Sequence, residues 1–398
     1  MRVLQLTNYP TVNPMHGGQI RCHHIVEILK QNGHEVNSVA IYGEQDYQEA
    51  GPLDFTYDLS SSIFNKEYPW LYDYYSGIYL YKNVTAYKKL QKIINDYNPD
   101  VILVEQPWLF KAALKAKKGK CKLIYSSQNV EWRLKERMFQ REHTKHQKYS
   151  DLLKDIKAVE MEAVQKADYI VACTNADAEY YKLAVNDARK ASVIVAGNGV
   201  EPFTCNNERV EEWRKFLERK TAVFVSSAHI PNAQGFWDMM APGLTFLKPN
   251  EKILVLGGVA SILMSMQGFN EFSDLNKNRL NMAGFREKTE LQALIRASHV
   301  IMLPITEGEG SNLKTAEALE SGCYIVATSK AFRGYENALL LPHVFIHDNA
   351  EDFRKRVRLL LDFSAPSPGT PIEIKSKYYW NSQLKGMVNL MDTIKENI

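Results

Sequence analysis

The sequence predicts two doubly wound α/β domains in tandem, and three observations lead to that class. At 398 residues the chain exceeds one typical domain. Short apolar runs recur, each followed by helix-like sequence, the pattern of a parallel sheet covered on both faces. The rhythm restarts after residue 200, past a polar, turn-rich stretch, 199-GVEPFTCNNERVEEW-213, that reads as a linker.

In the first half, 2-RVLQLT-7, 35-EVNSVAIYG-43, 100-DVILVEQ-106, 121-CKLIYSS-127 and 168-DYIVACT-174 read as buried strands. After the loop 8-NYPTVNPMHGG-18, the spacing of Ile20, His23, His24, Val26, Ile28 and Leu29 predicts a helix over 19–33 that ends at Gly33. Further helices are expected over 85–96 and 151–167. In the second half, 221-TAVFVSS-227, 252-KILVLGG-258, 280-LNMAG-284, 298-SHVIMLP-304 and 323-CYIVAT-328 read as strands, with a helix over 287–298. The last stretch, 378-YYWNSQLKGMVNLMDTIKEN-397, reads as one helix. The expected domains are 1–200 and 201–377, followed by the terminal segment 378–398.

Composition excludes several classes. Hydrophobic content of 45% supplies two cores, and a net charge of +3 is too small to argue for nucleic acid. The five cysteines include no CxxC pair and are odd in number, which argues against a disulfide framework or a zinc site and for a reducing compartment. The amino-terminal MRVLQLTNYP lacks a signal peptide's apolar core, and no run reaches the ~20 apolar residues of a membrane span. A cytoplasmic protein is expected.

Two stretches depart from the pattern. Residues 64–87 hold seven tyrosines and Trp70. Such aromatics suit sugar or headgroup surfaces, though an insertion packed on its own domain is the simpler expectation. The stretch 108-WLFKAALKAKKGKCK-122 is basic and partly amphipathic, so contact with an anionic membrane is an expectation beside that of a solvated helix face.

The most informative stretch is 307-EGEGSNLKTAEALESG-322. It follows a predicted strand and turns into a helix that starts near Asn312 or Leu313 and ends before Gly322. In an open parallel sheet, ligands bind at that junction. Ser311 or Asn312 can cap the helix, Gly310 lets backbone approach a ligand, and the helix start offers N–H groups and a positive dipole end to phosphate. Lys314 in the first turn opposes its own helix dipole unless an anion sits before it. Glu309 and Glu317 bracket that position, and carboxylates bind vicinal hydroxyls well.

With these residues the sequence resembles the family 4 retaining glycosyltransferases, which have the GT-B architecture of two Rossmann-like domains facing a cleft. The signature of two glutamates with seven residues between them is Glu309 and Glu317, enclosing Gly310, Ser311, Asn312, Leu313 and Lys314. Gly17–Gly18, 126-SSQNVEWR-133, 167-ADYIVACT-174, 198-NGVE-201, 226-SSAHIPNAQG-235, 283-AGFR-286 and 330-KAFRGYE-336 follow the family's landmarks in order. The resemblance implies an acceptor on the first domain, a nucleoside diphosphate sugar on the second and a terminal helix that crosses back to the first. Glu317 would hold the ribose, Glu309 the donor sugar, and the amides near Ser311, Asn312 and Leu313 with Lys314 the diphosphate. Gly284, Phe285 and Arg286 would meet the base, while Gly17 and Gly18 would let the first domain's loop close over the phosphates. The implied chemistry is metal-independent hexosyl transfer with retention, without a cofactor, from a UDP-sugar ahead of a GDP-sugar. The implied acceptor is a glycan or lipid-linked chain of bacterial cell-surface polysaccharide synthesis, reached from the cytoplasm or the inner face of the plasma membrane.

Two departures stand out. Gln128 occupies the place of a family histidine; it can hydrogen-bond a sugar but carries no titrating proton, so a positioning part in catalysis is expected. The stretch 226–235 lacks the usual arginine and lysine, which leaves phosphate charge to Lys314 and Arg286. His16, His23 and His24 lie near the glycine pair and are expected to pack or cap. Alternative readings are a non-catalytic nucleotide-sugar-binding protein, or a sugar phosphorylase or epimerase of the same fold.

Overall fold

The computed structural model describes residues 1–43, 47, 50–64, 67–141, 147–217 and 220–397. The chain divides into two compact units, Met1–Gly197 with Gln383–Ile398, and Asn198–Ser382. Each holds one parallel sheet.

The first unit contains strands β1 (Arg2–Thr7), β2 (Glu35–Gly43), β3 (Phe55–Tyr57), β4 (Val101–Glu105), β5 (Lys122–Ser126), β6 (Tyr169–Ala172) and β7 (Val193–Val195), in the order β3-β2-β1-β4-β5-β6-β7. All pairings are parallel. Strand β4 is buried along its whole length and β5 from Leu123 onward because helices cover both faces, which is why they read as continuous apolar runs. The second unit contains β8 (Ala222–Val225), β9 (Ile253–Leu256), β10 (Leu280–Gly284), β11 (Val300–Leu303), β12 (Tyr324–Ala327) and β13 (Val344–Ile346), in the order β10-β9-β8-β11-β12-β13. Apolar clusters lie on both faces of this sheet, one around Phe224, Phe236 and Phe353, the other around Ile301, Leu319 and Phe332.

Four local expectations change. The helix expected over 19–33 spans Gly17–Gln31, because the His16 side chain accepts from Gln19 N and starts the helix two residues early. Gly17 and Gly18 therefore form its first turn and are not part of the preceding loop. Its buried stripe runs through Arg21, Cys22 and Ile25, while His23 and His24 lie partly exposed beside it. Arg21 reaches the core because its Nη1 donates to Gly197 O at 3.1 Å. The stretch read as a linker over 199–213 runs into a helix, Asn207–Leu217, whose Val210 packs on Ala293. The terminal helix is broken: Trp380–Gln383 belongs with an isolated bridge from Val200 to Tyr379, and Lys385–Glu396 lies against β7. The approach is close at Gly386, where an added Cβ would sit 2.4 Å from Val195 O.

The aromatic segment packs on its own unit; Asn65 and Lys66 within it lie outside the described residues. Tyr57 stacks on Phe64 at 4.7 Å, Trp70 meets Phe139 edge-on at 4.6 Å, and Tyr74 meets Trp108 at 5.8 Å. Lys135 is buried beneath this cluster and donates to Asp73 at 2.7 Å and to Trp70 O at 2.9 Å. A buried ammonium is tolerated there because its charge is paired and its donors are used. The basic stretch forms a helix, Phe110–Ala116, whose apolar side (Phe110, Ala112, Ala113 and Ala116) is spent on the core. Lysines remain outward, with Lys111 and Lys115 over the ring of Tyr81. The amphipathic pattern thus records core packing, and any approach to a membrane through this face would be electrostatic.

Candidate functional site

In the second unit, the strand order reverses direction between β8 and β11, so the loops leaving those two strands flank the switch point. The loop after β11 is held close by the helix Ile230–Met240: an added Cβ at Gly235 would come within 2.4 Å of Pro304 O. The next helix is Leu313–Ser321. Asn312 is its cap, extended in backbone, with Oδ1 accepting from Lys314 N at 3.2 Å, and Gly322 closes it at φ +81°. Gly308 and Gly310 take φ of +127° and +65°, conformations that L side chains rarely adopt.

Glu309 sits between those glycines, half-buried, with its Oε1 shielded from solvent. Glu317 lies one turn along the helix from Lys314. Burial raises the Glu317 carboxyl, opposed by the nearby charges of Lys314 and Lys288. Burial lowers the Lys314 ammonium, opposed by Glu317. Both groups are half-buried and feel each other's charge, and the charge of Lys288, the first residue of the helix after β10, reaches Glu317 as well. In the turn between β10 and that helix, Gly284 has φ +64°, Phe285 is 64% exposed, and Arg286 folds Nη1 back onto Phe285 O at 2.8 Å. Ser311 and Leu313 are half-buried at the mouth of the helix. From the first turn of the helix Ile230–Met240, Asn232 Nδ2 donates to Ser227 Oγ in the loop after β8 at 3.2 Å, while His229 is exposed.

Gln128 and Gly18 lie together in the first unit, while Gly17, the residue before, is exposed. Gln128 Oε1 accepts from Tyr9 Oη at 2.7 Å and its Nε2 donates to Cys22 Sγ at 3.3 Å. An added Cβ at Gly18 would lie 2.5 Å from Tyr9 Oη and 2.8 Å from Gln128 Oε1. Gly18 is thus a packing requirement of this bond. Gly18→Ala is expected to displace Gln128 and lower stability by ~1–2 kcal/mol, read as a fall in the urea midpoint. His16, besides capping, places Nε2 3.2 Å from Tyr47 Oη, and burial lowers its pKa to about 4. It is neutral at pH 7, as a cap and packing residue requires.

Residues outside the sequence-based set complete the second-unit loop. Arg333, in the connection after β12, donates to the carbonyls of Gly308, Glu309 and Gly310. The signal was weak: 330-KAFRGYE-336 stood out only as an ordered landmark, since nothing in its periodicity points to a loop more than twenty residues away. Among the described residues, no three His, Cys, Asp or Glu side chains gather where they could hold a metal ion. No described helix is long and apolar enough to cross a membrane.

The model of Glycosyltransferase Family 4 matches residues 15–202, and that of Glycosyl transferases group 1 matches residues 219–362. The chain belongs to the family 4-type glycosyltransferases. Its fold is GT-B, with two Rossmann-like domains. A glycosyltransferase from Rickettsia africae ESF-5 is 14% identical over 100% of this chain and 99% of its own, with a TM-score of 0.63. Sucrose-phosphate synthase from Thermosynechococcus elongatus is 13% identical over the full length of both chains, with a TM-score of 0.68. Anabaena HepE, solved in complex with UDP-glucose, is 13% identical over 100% of this chain and 99% of its own, with a TM-score of 0.61. At these identities the likeness is one of fold. Among curated proteins none matches the chain. In this glycosyltransferase the junction after β11 is the place where helix dipole, lysine and paired glutamates coincide.

Proposed function

We propose that this glycosyltransferase moves a hexose, with retention of anomeric configuration, from a nucleoside diphosphate sugar to a glycan or lipid-linked acceptor in bacterial cell-surface polysaccharide synthesis. The observation that carries the reading is the capped helix start at Asn312, with Lys314 in its first turn and Glu309 and Glu317 on either side. A diphosphate seated there meets N–H dipoles and an ammonium, which stabilise the negative charge that develops as the sugar–phosphate bond breaks. Those groups take up the leaving-group charge without a metal. The acceptor hydroxyl attacks on the face the diphosphate leaves, passing its proton to the leaving oxygen. Glu309 holds the donor sugar's hydroxyls, Glu317 the ribose, and the Gly284–Arg286 turn the base. The UDP-glucose complex of Anabaena HepE supports a UDP-sugar ahead of a GDP-sugar. Gln128, already bonded at both ends, positions rather than transfers a proton. A lipid-linked acceptor would bring anionic headgroups to the lysine face of the helix Phe110–Ala116.

The test is a screen of UDP-, GDP- and CMP-sugars for donor hydrolysis and transfer, with and without anionic phosphatidylglycerol vesicles, beside thermal shift with the free nucleotides. Hydrolysis of one donor, with a matching shift by its nucleotide, is the expected result. A shift without turnover on any donor would favour a nucleotide-sugar sensor. Neither shift nor turnover would remove the donor-site reading.

A further inference from the structure

The loop that carries Glu309 takes its shape from a neighbouring segment. Thr328 Oγ1 donates to Ile305 O, and Lys330 Nζ donates to Thr306 O at 2.7 Å. Arg333 then takes three successive carbonyls: Gly308 O through Nη1, Glu309 O through Nη2 at 3.1 Å, and Gly310 O through Nε at 3.0 Å. Thr315 Oγ1 ties the same segment to the following helix by donating to Ala331 O.

A guanidinium offers its donors in a rigid planar fork, so three carbonyls held by one Arg333 are fixed in direction as well as place. In a planar trans peptide the C=O of one residue and the N–H of the next point opposite ways. Anchoring the carbonyls of residues 308–310 therefore turns the N–H groups of Glu309, Gly310 and Ser311 away from the guanidinium. Successive N–H groups turned to one side form an anion-binding concavity, and the Asn312 cap and Lys314 follow it directly. Gly308 belongs to the same device. At φ +127° an alanine there is strained, and its Cβ would press on Arg333 Nη2 at 3.3 Å.

We infer that Arg333 is a positioning residue for the donor diphosphate. From behind the loop it aims the amide dipoles at the phosphates and adds positive charge that the 226–235 stretch, with neither arginine nor lysine, does not supply. This inference rests on the proposed donor site.

Calorimetric titration of the parent, Arg333→Met, Arg333→Lys and Gly308→Ala with UDP and uridine, and with GDP and guanosine, tests it, with circular dichroism to verify folding. Arg333→Met is expected to weaken the nucleoside diphosphate about tenfold or more while the nucleoside binds as before. Arg333→Lys, a point charge without the fork, should fall between the two. In turnover, kcat should drop more than KM rises. If Arg333→Met does not fold, Gly308→Ala carries the same selective loss. Equal weakening of nucleotide and nucleoside, or no weakening in a folded variant, overturns the inference and leaves the donor reading standing. Failure of the parent to bind any nucleoside diphosphate overturns both.

Discussion

Glu309→Gln is expected to lower donor turnover by about a hundredfold or more, with nucleoside diphosphate affinity changed by less than about threefold. The substitution keeps the shape and one acceptor oxygen, turns the other acceptor into a donor and removes the charge. Charge-assisted bonds to sugar hydroxyls are roughly twice as strong as neutral ones, and their worth grows where water is excluded. Glu309 meets that condition, since its Oε1 is shielded from solvent. Its own carbonyl is fixed by Arg333, so the carboxylate is held in place before substrate arrives. Nucleotide binding is spared because ribose and phosphate are assigned to Glu317, the helix start and Lys314. Steady-state kinetics on the productive donor, beside calorimetry with its nucleotide, check both halves. Unchanged kcat/KM would remove Glu309 from the reaction, and a matching loss of nucleotide affinity would move it to the phosphate or ribose.

The second large effect concerns stability against pH. Glu131 is fully buried in the first unit, and burial pushes its pKa up to about 8, helped by Asp73 and Glu160 and opposed by Lys135. Its Oε1 accepts from Asn129 Nδ2 at 3.1 Å and from Gln106 Nε2 at 3.4 Å. Near neutral pH the folded chain therefore keeps a proton here that the unfolded chain, at the ordinary carboxyl value of 4.5, has released. Stability from this group is fully present below the unfolded value and is lost as pH rises through the folded one, levelling off above about 8. The total is on the order of 4 kcal/mol. Glu131→Gln keeps the acceptor and removes the titration. The variant should match the parent near pH 4.5 and exceed it in urea midpoint at pH 8.5, with a flatter profile between. Parallel profiles for parent and variant would show that the carboxyl is charged in the folded state. Glu160 is also buried and raised, but it accepts from the backbone N of Glu131 and Trp132 and from Tyr125 and Tyr181 Oη. Four donors favour its charged form more than the two on Glu131 do, so Glu131 is the better reporter.

How much of this was legible depended on whether a feature is written locally. The strands over 2–7, 35–43 and 280–284 begin and end where their apolar runs do. The helix after β11 starts at its Asn312 cap and ends at Gly322, because cap and terminating glycine are sequence-local devices. A glycine pair signals a loop, yet Gly17 and Gly18 open a helix, because His16 supplies a cap, and Tyr9 and Gln128 leave no room for a Cβ at Gly18. The helix Asn207–Leu217 hid in a polar stretch because it buries only Val210 among its described residues, too little for an apolar stripe.

By itself the sequence determined the α/β class, the parallel order implied by strand–helix alternation, and the junction where Glu309, Asn312, Lys314 and Glu317 meet. Those follow from periodicity and capping, which act over a few residues. Only the tertiary structure decided that Arg333 holds the carbonyls of the Glu309 loop, that Arg21 lies buried against Gly197 O and Lys135 against Asp73 and Trp70 O, and that burial raises the Glu131 carboxyl. Each depends on groups tens of residues away along the chain, brought together by the sheet and removed from water by the packing around it.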